Sequence, residues 1–536
     1  MNKRISEYFL DKRYLNLGII IIFIFACCNF YCITQLSITS DESTYYRYAA
    51  NVLKLQPQKQ VVNGKAAFDS QMPIVVINTL PRVIEQLLKP GLKHDQFQTL
   101  IDVNRGRIFS IFCALLLAWY VLLWSTKLYG QKAGIFSLLL YALCPNILAN
   151  SQMVSTDVYS FLLCTATLYH TWYYCKSRQI KQLLIVSILL GLGQISKQSL
   201  LLLYPIVLIL LLVNWYTLKI KPINILKGFL KEILIISLLS ILIINVGFLF
   251  YKTGKTLSQY HFYSSKFINY QKQLLFLAKV PIPFPEPYVA GFDIVALSIE
   301  TPPGITGLSS YGATSFLGNK ITGKRIILYY TISCLYKLSI SFMLFLLTTL
   351  ILYFRHFNKA SLIKNELYLL FPAAFIFISF SLLNTMYLGI RNIFFLFPLL
   401  FIFCGYLINY YSESDRKPIK YIIIGSLLLY QLISVSIYFP HFLPYTNEFI
   451  INKKNVYKYL GDSNIYDWEG RKIAKEYLSK HLEVQYEPSQ FVHGKVMVSL
   501  ENYLDFWFEG KVQWLTNLKL EPIDHLDSQY LIFNIP

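Results

Sequence analysis

Two adjacent carboxylates, Asp41 and Glu42, follow the first long apolar run of the chain, in the stretch Thr39-Ser40-Asp41-Glu42-Ser43. A carboxylate in that place can serve as a general base or ligate a cation. A plainer role also fits. Thr39 and Glu42 have the spacing of a capping box, and acids in a first helical turn favour its dipole; the pair would then start an interfacial helix of Tyr45, Tyr48, Ala49, Val52 and Leu53. Further ionisable side chains fall at predicted helix ends on the same side of a membrane: Arg105, Arg107, Asp157, Lys197, Lys337 and Arg391. Such groups are costly near a bilayer and are functional candidates by default. Arg and Lys can neutralise a phosphate, so an acid pair facing several cations suits transfer of a group from a phosphate-linked donor. Each candidate also has a simpler explanation. Arg105, Arg107 and Lys337 could reach to lipid headgroups. Asp157 could cap a helix after Ser155-Thr156, and Arg391 could pair with a loop carbonyl. The eight histidines show no metal-ligand spacing, although His441 stands at a span exit after Pro440.

The elements that must position these residues are membrane helices. Hydrophobic residues make up 55% of the chain and charged ones only 15%, and apolar runs long enough to cross a bilayer recur. Spans are expected near 14–36, 106–126, 133–149, 157–174, 232–251, 333–354, 367–384, 393–411 and 419–438. The stretch 182–217 is too long for one crossing, and its polar break Gln194–Gln198 divides it into two, giving about eleven transmembrane helices. The net charge of +20 could suggest nucleic acid as a partner. The basic residues instead sit in short loops on alternate sides of successive spans: Lys3/Arg4/Lys12/Arg13, Lys127/Lys132, Lys176/Arg178/Lys181, Lys219/Lys221/Lys227/Lys231, Arg355/Lys359/Lys364 and Arg416/Lys417/Lys420. That is the positive-inside pattern, which argues for membrane lipids as surroundings and against nucleic acid. It orients the N-terminus to the cytoplasm and the C-terminal region outside. The first run is too long for a signal peptide and lacks a small-residue cleavage site. All nine cysteines lie in or beside apolar runs and read as small apolar residues.

The fold class expected is therefore a polytopic α-helical membrane protein with a small α+β extracytoplasmic region at its C-terminus. Residues 1–438 form the transmembrane part, with external loops 37–104 and 252–323, and residues 439–536 the outer domain. The first loop holds Asp69 and an amphipathic piece around Val83–Leu88. The C-terminal region carries strand-like stretches at Lys495–Leu500 and Tyr530–Ile535.

The order of several short motifs resembles one family, the polytopic glycosyltransferases of the GT-C class. The resemblance is to the bacterial branch related to dolichyl-phosphate-mannose–protein mannosyltransferases and lipid A aminoarabinose transferase. Asp41-Glu42 sits where that family carries its acidic motif in the first external loop. Arg105-Gly-Arg107-Ile-Phe-Ser110 with Leu128-Tyr129-Gly130, the segment Pro145 to Asp157, Gly191 to Lys197, and Gly389-Ile-Arg391-Asn392 are similar to its later motifs. Pro444-Tyr-Thr-Asn-Glu448 and Gly461-Asp-Ser-Asn464 with Asp467-Trp468 resemble elements after the last span in one bacterial subgroup. Asn150 and Asn392 stand where that subgroup has His, and Glu469-Gly470-Arg471 replaces its Gly-Gln-Asp, departures that bear on the acceptor.

The resemblance implies an inverting transferase of the inner membrane that takes a sugar from a polyprenyl-phosphate donor. The acceptor hydroxyl would belong to a protein, a lipid A-like glycolipid or an envelope glycan. It implies Asp41 as general base and Glu42 as the group orienting the acceptor or a cation. Arg105, Arg107, Asp157, Lys197 and Arg391 would line the substrate site, with cations among them meeting the departing phosphate. It leaves open whether a divalent metal takes part. Two other classes compete. A transporter or flippase of lipid-linked sugars would also use intramembrane charge, but the broken-helix pairs and inverted repeats common in transporters are not visible. An inactive scaffold would have no need of Asp41-Glu42.

Overall fold

Apolar runs of this length leave the backbone one way to satisfy its own polar groups in lipid, the α-helix, and the computed structural model is built on that rule. The structure describes residues 11–62, 65–67, 71–89, 100–218, 221–300, 314–321, 323–413, 418–463 and 465–536. Asp69, the basic residues Lys3, Arg4, Lys219, Arg416 and Lys417, and Asn464 of the Gly461–Asn464 motif lie outside the described residues.

Helix α1 (Lys12–Cys32) is the first apolar run, and α2 (Ser40–Leu53) begins at the acidic pair. After a short hairpin of β1 (Gln60–Val62) and β2 (Lys65–Ala67) come the amphipathic α3 (Val76–Leu88) and the long α4 (Leu100–Tyr129). Helices α5 (Gln131–Ala142) and α6 (Pro145–Ser151) form one apolar stretch bent by 66°. The bend falls just before Pro145, which cannot continue a helix but suits a first turn. Next are α7 (Asp157–Ser177), α8 (Ile180–Gln194), α9 (Leu203–Thr217) and α10 (Pro222–Gly247). Helix α8 ends at the polar break expected to divide that stretch. Helix α11 (Glu286–Glu300) lies in the second long loop. Helices α12 (Tyr329–Lys337) and α13 (Ile340–Arg355) meet at 118°, with Ser339 capping α13. The series closes with α14 (Leu367–Leu383), α15 (Phe397–Glu413) and α16 (Pro418–Ser436).

Helical segments thus stand at each of the expected crossings. Among the described residues, seven helices are long and apolar enough to span a membrane alone, and up to nine if each bent pair is one span. Helix α7 falls short because of its composition, and burial explains why. It carries Thr165, Thr167 and Thr171, whose hydroxyls bond back to their own helix carbonyls, and nearly all of it is enclosed by other helices. A helix that faces protein need not be apolar all round. The chain is a multi-pass helical membrane protein by the length and composition of these helices.

Beyond α16, the sheet β6 (Val484–Tyr486), β7 (Gly494–Ser499), β8 (Asp524–Leu526) and β9 (Tyr530–Ile535) has the order β6-β7-β9-β8, with α17 (Arg471–Lys480) preceding it. β6 and β7 are parallel, and β7 pairs antiparallel with β9 from Gly494↔Ile535 to Ser499↔Tyr530. A second sheet ties the loop to this region: β3 (Thr314–Phe316) lies between β4 (Asn319–Ile321) and β5 (Leu460–Gly461). All nine cysteines are free thiols; Cys32, Cys144, Cys164 and Cys404 are buried, whereas Cys27 is exposed on α1.

A candidate active-site cavity between the helix ends and the C-terminal region

The first turn of α2 sends its two acids in different directions. Asp41 and Glu42 are neighbours on a helix, so their side chains diverge by roughly 100°. Thr39 caps the helix through the full capping box, its hydroxyl accepting from the Glu42 amide and its own amide donating to Glu42 Oε2. That structural role of Glu42 is therefore realised. Glu42 is fully buried, and Arg107, also fully buried, donates to Oε1 and Oε2 at 2.7 and 2.6 Å. Val154 N donates to the same carboxylate at 2.9 Å. Arg107 also donates to the Ser37 carbonyl and to Asn104 Oδ1. The pair is closed on every side, which is what a buried ion pair requires to persist.

Glu42 and Arg107 consequently do not line the cavity that Asp41 faces. From sequence, Glu42 is expected to orient an acceptor and Arg107 to meet a phosphate; in the structure the two are buried against each other instead. Arg105, expected beside them, points elsewhere. It is 45% exposed and pairs with Glu85 of α3 at 2.7 Å. The Arg105-Gly-Arg107 motif is a packing seam. A Cβ on Gly106 would lie 1.7 Å from Tyr46 Oη and 2.8 Å from the Asn78 carbonyl, so only glycine lets α2 and α3 close on α4.

Asp41 opens onto a cavity of about 660 Å³. The side chains of Asp157, Lys197 and Arg391 share it, each from a different element. Asp157 starts α7, Lys197 sits in the break after α8, and Arg391 lies in the loop before α15. Arg391 Nη1 donates to Asp41 Oδ2 at 2.8 Å, and Lys197 Nζ donates to Asp157 Oδ1 at 2.5 Å. The two pairs adjoin, since Lys197 Nζ also lies 3.5 Å from the Arg391 carbonyl. Burial alone would pull the Arg391 guanidinium down, but Asp41, Asp157 and Asp467 outweigh it and hold the cation firmly charged. Four of the seven site residues expected from sequence therefore converge: Asp41, Asp157, Lys197 and Arg391.

A second wall comes from the C-terminal region. Asp462, Tyr466, Asp467, Trp468, Glu501 and Trp507 line it. Asp467 accepts from the Ser40 hydroxyl at the cap end of α2, which fastens this wall to the acidic stretch. Burial, then the charge of Asp41, pushes the Asp467 carboxyl well above its usual range, Arg391 only partly opposing. Asp462 accepts from Tyr329 Oη at 2.9 Å. The Asp467-Trp468 motif was the available signal for this wall; Glu501 and Trp507 had none. Of the departures noted, Asn392 lines the cavity, while Asn150 is buried against the Asn146 carbonyl.

Among the described residues no group of three His, Cys, Asp or Glu side chains could hold a metal ion. The donor chemistry agrees, because Asp41 and Asp157 are each paired with a cation that would repel one. As they stand, these ion pairs leave neither carboxylate open to a divalent metal, and no step below passes through one.

Residues 102–254 match the model of the dolichyl-phosphate-mannose-protein mannosyltransferase family. Among solved structures, the chain is similar to the archaeal oligosaccharyltransferase AglB from Archaeoglobus fulgidus in complex with an inhibitory peptide and a dolichol-phosphate. That match has a TM-score of 0.50 at 13% identity and covers 77% of this chain and 55% of that one. At that identity the likeness is one of fold, shared with the oligosaccharyltransferase over most of this chain. The apo form of the Archaeoglobus fulgidus oligosaccharyltransferase also matches, with a TM-score of 0.47 at 13% identity, over 77% of this chain and 54% of that one. The chain spans about half the length of those structures. A comparison with curated protein sequences finds no match.

Proposed function

We propose that this protein is an inverting glycosyltransferase of the GT-C type that moves a sugar from a polyprenyl-phosphate donor to an acceptor hydroxyl, with its cavity on the outer face of the inner membrane. The observation that carries this reading is the pair of ion pairs, Arg391–Asp41 and Lys197–Asp157, facing one cavity at the helix ends. Two cations side by side suit the phosphate of a lipid-linked donor. Each is held by a carboxylate that a phosphate would displace, so donor binding draws Arg391 away from Asp41 and releases the base when substrate is present.

In the reaction, the acceptor oxygen forms a bond to the anomeric carbon as the bond from that carbon to the phosphate oxygen breaks. The hydroxyl proton passes to Asp41, and the electron pair leaves with the polyprenyl phosphate. Charge grows on that phosphate in the transition state, where Arg391 and Lys197 are already aimed at it. Glu42 and Arg107 act through the backbone, holding the start of α2 so that Asp41 faces the cavity.

The test uses purified protein in nanodiscs with a panel of radiolabelled polyprenyl-phosphate sugars. The native chain should release or transfer sugar, and Asp41→Asn should lose about 10²–10⁴ in rate while still binding donor, as expected for a general base. Donor binding with no turnover in either protein, across all acceptors, would move the reading to a transporter or a scaffold.

A further inference from the structure

The C-terminal wall of the cavity carries two indoles held by one acid. Trp468 Nε1 donates to Glu501 Oε2 at 2.8 Å, and Trp507 Nε1 donates to Glu501 Oε1 at 2.6 Å. Both tryptophans and Glu501 line the cavity. The Arg471 guanidinium stacks on the Trp468 ring, 3.7 Å from its centroid, which fixes that ring. Holding these rings in place costs backbone strain. Trp468 has φ +65°, and the turn presenting Trp507 has Asp505 at φ +49° and Phe508 at φ +56°. Left-handed conformations are uncommon for non-glycine residues, rarer still for bulky ones, and cluster at ligand sites. Trp507 is nonetheless 41% exposed, so the strain is not repaid by burying it.

A pair of orientated indoles beside buried carboxylates matches the surface of a sugar ring. The C–H faces of a pyranose are apolar and pack on an aromatic plane, while its hydroxyls need acceptors at the rim, here Asp467 and Asp462. β3, whose Thr314 lines the cavity, is paired on both sides by β4 and β5, so that strand has no free edge for an extended peptide. Cations gather at the other wall, with Arg391 and Lys197, so the two walls differ in chemistry as two substrates would.

We propose that Trp468, Trp507 and Glu501 form the acceptor subsite and that the acceptor is a carbohydrate, a glycolipid headgroup or glycan end, with Trp507 setting specificity. This rests on the transferase reading above. Soluble oligosaccharides, maltose- and chitin-derived, and a Ser/Thr-containing peptide serve as probes on the full-length protein in nanodiscs. Oxidation of Trp507 by N-bromosuccinimide, mapped by mass spectrometry, should slow severalfold with a matching oligosaccharide and not with the peptide. Trp507→Ala should weaken oligosaccharide binding about tenfold, the scale of one aromatic contact, and Trp507→Phe should restore most of it. Protection by the peptide alone, or equal oligosaccharide binding by native protein and Trp507→Ala, would overturn the proposal. Donor hydrolysis is read in the same samples. Oligosaccharide protection without any hydrolysis supports the subsite and overturns the donor reading, whereas hydrolysis without protection overturns the subsite alone.

Discussion

The two walls of the cavity are built by opposite means. The helix-end wall consists of charges contributed by four separate elements, each cation neutralised by a carboxylate: Asp41 with Arg391, Asp157 with Lys197. The C-terminal wall consists of indoles and acids, held by hydrogen bonds to one another and by strained turns. A charged wall assembled from distant helices can bind a phosphate only if those helices are held rigidly, and the buried Glu42–Arg107 pair is the brace beside it. The aromatic wall needs less, because its parts lie within residues 462–507 and orient one another. Precision is therefore expected to be lost first on the helix side when packing is disturbed.

The sharpest way to break this comparison is to remove the brace. Glu42→Ala leaves Arg107 charged, buried and without its main partner, and should cost about 3–5 kcal/mol, the usual penalty for an orphaned buried charge. The readout is the thermal unfolding midpoint of the detergent-purified protein, with loss of folded yield. Donor-wall chemistry comes next. Arg391→Gln should lower kcat by about 10²–10³, as for removing one preorganised group that meets developing charge, while the unfolding midpoint stays near that of the native chain. If Arg391→Gln instead unfolds the protein and Glu42→Ala merely slows it, the brace and the active pair have been exchanged.

Asp41 and Glu42 also show what the sequence could reveal. The polytopic architecture was legible because lipid imposes one solution on a long apolar run, and the break at Gln194–Gln198 was legible because polar residues interrupt it. Asp41, Asp157, Lys197 and Arg391 were legible as charges at helix ends, where each is costly without a purpose. The different fates of two adjacent acids were not. Glu42 is buried because Arg107 arrives from 65 positions further along, and no local pattern encodes that contact. Arg105 and Arg107 looked equivalent, one residue apart from Gly106, yet helical geometry sends one to the surface and one inward. Glu501 and Trp507 were invisible for a related reason: their pairing with Trp468 depends on a turn with left-handed residues that no turn signal announces.

A smaller effect sharpens the account of how the C-terminal wall is seated. Glu469 follows the Asp467-Trp468 motif, is buried, and takes a hydrogen bond from Gln529, while its carbonyl accepts from the Ser37 amide. Burial, reinforced by Asp527, pushes its carboxyl up from 4.5 to about 8 despite the opposing charges of Arg107 and Lys337. A carboxyl raised on folding favours the protonated folded state. Its contribution is complete below pH 4.5 and is lost as pH rises through about 8. The seat should therefore lose stability progressively from about pH 4.5 to about pH 8, seen as a falling unfolding midpoint and faster Trp507 oxidation over that range. Glu469→Gln keeps the amide partner without a proton to lose, so it should flatten that slope. An unchanged slope in Glu469→Gln would mean that another group, Asp467 foremost, carries the titration.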